Sequence, residues 1–194
     1  MKIRLGFLAL ALALALASPS AQAGLTTFTE NFEGGSNVGG WTFGNDYDEI
    51  LPTGGNPGAF LFNDWLDTIG PAARTTQHSE SVFTGDYRER GVVAVGADFA
   101  LFRVDFTSVG RSVTLMLYSD AGTRNRSEDD CWVYVDGGKA VPPSNGNWMS
   151  YRFDVPSSSD ALPPRWVAWQ CGTRTPDEAW NLVIRDVDQI RYFW

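Results

Sequence analysis

From residue 91 onward the chain runs in short stretches where apolar and polar positions alternate, the period of a strand with one buried face. Cys131, Val133 and Val135 fall on one side of such a stretch, and Trp132 and Tyr134 on the other. The same period separates Met149, Tyr151, Phe153 and Val155, the expected core face, from Trp148, Ser150, Arg152 and Asp154. Runs rich in β-branched and aromatic residues predict strands over 112–119, 131–136, 148–155, 165–171 and 189–194, with one bent strand or two over 91–106. Dense punctuation separates them: Gly34-Gly35, Gly39-Gly40, Gly54-Gly55-Asn56-Pro57-Gly58, Gly137-Gly138, Pro142-Pro143 and Pro163-Pro164.

One segment changes period. Thr175-Pro176-Asp177-Glu178 has the form of a capping box with proline at the first helical position. Trp180, Val183, Ile184 and Val187 then recur at helical spacing, so a short helix ending near Asp186 is expected to pack its apolar stripe on the strands. The predicted class is all-β: an antiparallel β-sandwich carrying one short C-terminal helix before the last strand.

The beginning of the chain belongs to another category. Met1-Lys2-Ile3-Arg4, the apolar run from Leu5 to Ala17 and Ala21-Gln22-Ala23 have the three parts of a cleaved secretory signal. Residues 1–23 are therefore expected to be removed, leaving 24–194 as a single exported domain, secreted or periplasmic, with no membrane span. An oxidising compartment would favour pairing of the two cysteines, Cys131 and Cys171.

The formal charge is −8, and loss of Lys2 and Arg4 with the leader makes it more acidic, which argues against nucleic acid or an anionic membrane as partner. A content of 43% hydrophobic and 20% charged residues excludes a disordered tail.

Phe83-Thr84-Gly85-Asp86-Tyr87, followed by Gly91-Val92-Val93-Ala94-Val95-Gly96-Ala97-Asp98-Phe99, resembles the core motif of laminin B domains, also called laminin domain IV. The run Thr175–Ile184, then Asp188-Gln189-Ile190-Arg191-Tyr192, is similar to the closing helix and strand of that family. The resemblance implies a jelly-roll fold related to carbohydrate-binding modules, extracellular and without known catalysis. The chain departs from laminin in lacking flanking cysteine-rich modules, which weakens any expectation of matrix assembly.

Catalytic constellations are sparse. Glycosidases need two facing carboxylates, and the nearest local group, Asp46, Asp48 and Glu49, reads as a solvated loop. His78 is the one histidine; its neighbours Thr75, Thr76, Gln77 and Ser79 form no nucleophile elbow, so it reads as a surface residue. Two cysteines and one histidine give no zinc set.

The jelly-roll resemblance leaves a structural calcium ion open, with Glu33, Asp186 and Asp188 as its oxygen ligands. A second acidic group, Asp120 and Asn125 with Glu128-Asp129-Asp130, reads as a solvated hairpin loop.

Eight tryptophans exceed ordinary core needs. Exposed aromatic rings stack on the apolar faces of sugars while nearby polar groups read hydroxyls. Trp132, Tyr134 and Trp148 are the candidates, because alternation sets them opposite the core face; the plainer alternative has Trp41, Trp166, Trp169 and Trp180 filling the core and the rest covering an edge. The expectation is a non-catalytic module that contacts an extracellular or cell-surface polymer of the polysaccharide or matrix kind. The alternatives are a glycan-active hydrolase or lyase on a jelly-roll scaffold and a structural cell-envelope protein. An outer-membrane barrel is disfavoured because Asp186 and Asp188 interrupt any lipid-facing alternation.

Overall fold

Strand-forming alternation and helix-capping chemistry both act locally in this chain, as its computed structural model shows for residues 25–66, 71–103, 110–124 and 126–194. The expected leader 1–23, residues 104–106 of the expected strand 91–106, and Asn125 of the second acidic group lie outside the described residues.

The strands are β1 (Asp48–Gly55), β2 (Gly58–Asn63), β3 (Ala72–Arg74), β4 (Ala94–Phe99), β5 (Ser112–Ser119), β6 (Cys131–Ala140), β7 (Met149–Asp154), β8 (Trp166–Trp169) and β9 (Gln189–Phe193), with the helix α1 (Pro176–Arg185) between β8 and β9. All pairings between these strands are antiparallel. The largest sheet has five strands in the order β3-β9-β5-β6-β8, while β1 with β2 and β4 with β7 form two-stranded pairs.

Period two decides which face of the large sheet is buried. Val113, Leu115 and Leu117 of β5, Cys131, Val133 and Val135 of β6, and Ile190 and Tyr192 of β9 all point inward into one cluster. The β4–β7 pair adds Tyr151 and Phe153 to the same cluster. Its Phe99 ring lies 5.3 Å from the Tyr192 ring, and Tyr192 donates its hydroxyl proton to the Gly96 carbonyl at 2.8 Å. Gly137 of β6 is small for a steric reason: an added Cβ would stand 2.7 Å from the Phe153 ring and 2.9 Å from the Val113 carbonyl oxygen.

The helix begins where its sequence predicts. The Thr175 side chain accepts from the Glu178 amide, and Glu178 accepts in return from the Thr175 amide. Trp180, Val183 and Ile184 are fully buried, each contributing roughly 1.5–3 kcal/mol through area removed from water. The Trp180 ring lies 5.0 Å from that of Trp166 on β8. A disulfide joins Cys131 at the start of β6 to Cys171 just after β8, beneath the helix.

The β1–β2 hairpin and β3 lie in a stretch for which the sequence predicts no strand, and Asp48 and Glu49, expected in a loop, begin β1. Among the described residues, no helix is long and apolar enough to cross a membrane.

Candidate functional site

Alternation that sends one set of side chains into the core leaves the other set on the outer face of the five-stranded sheet. Register places Tyr118 beside both Trp132 and Gln189, and Trp132 beside Trp169. One row away, Met116 stands beside both Arg191 and Tyr134, with Arg74 beyond Arg191 and Val167 beyond Tyr134. Trp169 keeps 46% of its surface exposed, and Val167 and Phe193 are also exposed on this face.

At the β3–β9–β5 end the face deepens into a groove of about 440 Å³, lined by Thr42, Arg74, Gln77, Trp132, Gln189 and Arg191 among others. Trp132 forms part of its wall. The Arg191 guanidinium lies 4.7 Å above the Trp132 ring, and the Tyr118 ring is 4.5 Å away on centroids. Tyr118 donates to Asp130 Oδ1 at 2.8 Å and accepts from Gln77 Nε2 at 3.2 Å. Burial, then the hydrogen bond to Asp130, hold the Tyr118 hydroxyl above its ordinary pKa, so it stays a proton donor at physiological pH. The groove thus combines an aromatic wall with amide, hydroxyl, guanidinium and carboxylate groups, the mixture that reads a polar ligand with apolar ring faces.

Adjoining it along the chain lies a group that local sequence does not reveal. His78 Nε2 is 3.1 Å from Asp120 Oδ2, and Nδ1 is 3.0 Å from Asp188 Oδ1. The three residues come from the segment after β3, the turn after β5 and the residue before β9. Asp120 is 2% exposed and Asp188 9%. Both ring contacts are hydrogen bonds only when both nitrogens carry protons, since a neutral imidazole donates through one. The His78 amide also donates to the Asp188 carbonyl at 3.0 Å. Gln77 precedes His78 and Gln189 follows Asp188 in the chain, and the Asp188 amide donates to the Tyr118 carbonyl at 2.8 Å, so the group adjoins three residues that line the groove.

The potential ligand atoms of His78, Asp120 and Asp188 lie within 4.8 Å of one another, and their carboxylates also accept from backbone amides. Asp120 Oδ1 accepts from Gly122 N and its Oδ2 from Arg124 N, while Asp188 Oδ2 accepts from Asp120 N.

Of the residues expected to hold calcium, Asp188 belongs to this group. Asp186 stands at the helix C-terminus nearby, its carboxyl raised above the ordinary range by burial first and then by the Asp188 and Asp120 charges. Glu33 lies elsewhere, accepting from the Ala59 amide at the β1–β2 hairpin.

Of the residues expected to bind ligand, Trp132 and Tyr134 share the outer face, whereas Trp148 does not join them. Its indole N–H donates to the Gly54 carbonyl at 2.9 Å, and its ring meets Phe60 edge-on, so it anchors the hairpin. Trp169, counted with the core in the plainer alternative, stands on the outer face beside Trp132. Strict period two within β8 separates it from inward-facing Trp166 and is the signal that could have found it. His78, expected at the surface, is drawn inward by carboxylates far away in sequence.

The motif residues behind the laminin B resemblance have structural duties. Gly85, at φ 100, pairs with Val187 in an isolated bridge, and Tyr87 is buried and donates its hydroxyl to the Phe83 carbonyl at 2.6 Å. No family model, curated protein or solved structure matches this chain.

Proposed function

We propose that the protein is a non-catalytic, exported β-sandwich module of jelly-roll, laminin-B-like type that grips an extracellular or cell-surface polysaccharide on the outer face of its five-stranded sheet. One observation carries the reading: exposed Trp169 and partly covered Tyr134 flank a groove whose wall is Trp132 and whose other lining side chains donate and accept hydrogen bonds. Pyranose rings present apolar C–H faces to such rings and hydroxyls to such donors. The sandwich part of the proposal draws support from the packing of β4 and β7 aromatics against β9.

Native electrophoresis through gels containing neutral and acidic polysaccharides tests the proposal. Retardation by a polymer, lost in Trp169→Ala and Trp132→Ala and kept in Phe102→Ala, whose exposed ring packs on Phe60 of the hairpin, supports a binding module and its face. Release of reducing ends from the polymer would turn the reading toward a hydrolase or lyase. Self-association without retardation would turn it toward a structural envelope protein.

A further inference from the structure

Two arginines stand together in the groove of a chain whose formal charge is −8. Arg74 and Arg191 are direct partners in the antiparallel pairing of β3 with β9, an arrangement in which like charges destabilise the pair. Neither guanidinium meets a carboxylate at salt-bridge distance among the described residues. Burial, then the Arg74 charge, push the Arg191 guanidinium below its ordinary pKa.

Its hydrogen bonding is incomplete as well. The Arg191 Nε is buried with no acceptor, and Nη2 donates to Gln189 Oε1 at 3.2 Å. Stacking on Trp132 fixes its plane, and close approach to Gly44 confines Arg74: a Cβ added at Gly44 would lie 2.4 Å from Arg74 Nη2. Two oriented forks without counter-charge are an arrangement that an oxyanion completes. Asp130, the acidic residue on the groove, is engaged through Oδ1 by the Tyr118 hydroxyl.

We infer that the groove recognises an anionic sugar, its carboxylate or sulfate oxygens bridging Arg74 and Arg191 while its hydroxyls meet Gln77, Gln189 and Asp130. This rests on the polysaccharide reading and narrows it to acidic polymers. A polymer is favoured over a free anion because the surface continues past Arg74. Gly44 touches Arg74, and three residues further on Tyr47, 55% exposed, faces Trp65, 60% exposed, with ring centroids 6.2 Å apart. Asn45 holds this platform by donating to the Trp65 carbonyl at 2.7 Å. The second aromatic platform offers stacking for a neighbouring sugar of the same chain.

Affinity electrophoresis with native protein, Arg74→Gln and Arg74→Lys decides the matter, using polygalacturonate, its methyl ester, a sulfated galactan, a neutral glucan and polyglutamate. Arg74 is chosen because it is not stacked on Trp132, and Arg191→Gln with its unfolding curve is a second variant. The expected result is retardation by polygalacturonate or the sulfated galactan at least tenfold stronger than by the ester or the glucan. Arg74→Gln should abolish that preference, and Arg74→Lys should restore only part of it. Preference for one acidic polymer over the other identifies carboxylate or sulfate as the bridging group.

Equal retardation by ester and acid, unchanged in Arg74→Gln, overturns this inference and leaves the binding module standing. Polyglutamate binding as strong as that of the acidic polymers overturns it in favour of an acidic peptide. No retardation by any polymer overturns both this inference and the function it rests on.

Discussion

Replacing His78 by asparagine removes the ring between two buried carboxylates while keeping a residue type that tolerates the left-handed backbone at φ 55. The potential ligand atoms of the three residues lie within 4.8 Å of one another. Two unit charges at that separation repel by about 3.5 kcal/mol at an effective dielectric constant of ~20. An asparagine amide can still donate to one of the carboxylates and recover ~1 kcal/mol. The net loss expected is about 2–3 kcal/mol, at the upper end of what a single substitution costs.

Urea unfolding followed by tryptophan fluorescence reads this loss as a lower midpoint at unchanged slope. A cycle with Asp188→Asn isolates the interaction: the two changes together should cost at least ~1 kcal/mol less than the sum of each alone, because the second removes the repulsion created by the first. A His78→Asn loss below ~0.5 kcal/mol, or strict additivity in the cycle, would refute the bridging role. The groove should feel the same change, since Gln77 sits one residue away and hydrogen-bonds Tyr118.

Three other outcomes are expected. Replacing Cys131 and Cys171 together by serine opens a cross-link spanning 40 residues and should cost about 4 kcal/mol in the chain-entropy model, read from urea unfolding of oxidised native protein against the double variant. Asp186→Asn should stabilise the chain near neutral pH. The folded carboxyl lies above its ordinary pKa through burial, Asp188 and Asp120, with His78 opposing, so its ionisation costs stability that is regained as the pH falls through that value toward the unfolded one. Unfolding curves at pH 8 and pH 4 check the sign, and a larger gain at pH 4 contradicts it. Thr175→Ala removes the N-cap of the helix and should cost ~1 kcal/mol in thermal or urea unfolding.

Elements that bury one full face were legible in the sequence because period and capping are local. The expected 112–119 strand coincides with β5, β6 begins at Cys131 as expected, and α1 starts from its capping box. The hairpin was not legible: Pro52 sits inside β1, Gly54 and Gly55 end it, and its alternation is poor. Three-residue β3 is too short to show a period. Within the site, alternation put Trp132 and Tyr134 on a common face.

The rest of the site depends on contacts that span the chain. His78 meets Asp188 across 110 positions, and Arg74 becomes the neighbour of Arg191 only through the β3–β9 register. No spacing rule connects such pairs. Alternation set Trp148 opposite the core face and does not report that its ring packs edge-on against Phe60 of the β1–β2 hairpin.

The central claim is that the outer face of the five-stranded sheet holds a polysaccharide, and oxidative footprinting of tryptophan with and without a retarding polymer tests it most directly. Trp169, at 46% exposure, reports on that face, and Trp148 reports on the hairpin. The account predicts that bound polymer slows oxidation of Trp169 severalfold and leaves Trp148 unchanged. Oxidation of Trp169 at the same rate in the bound and free protein would contradict it.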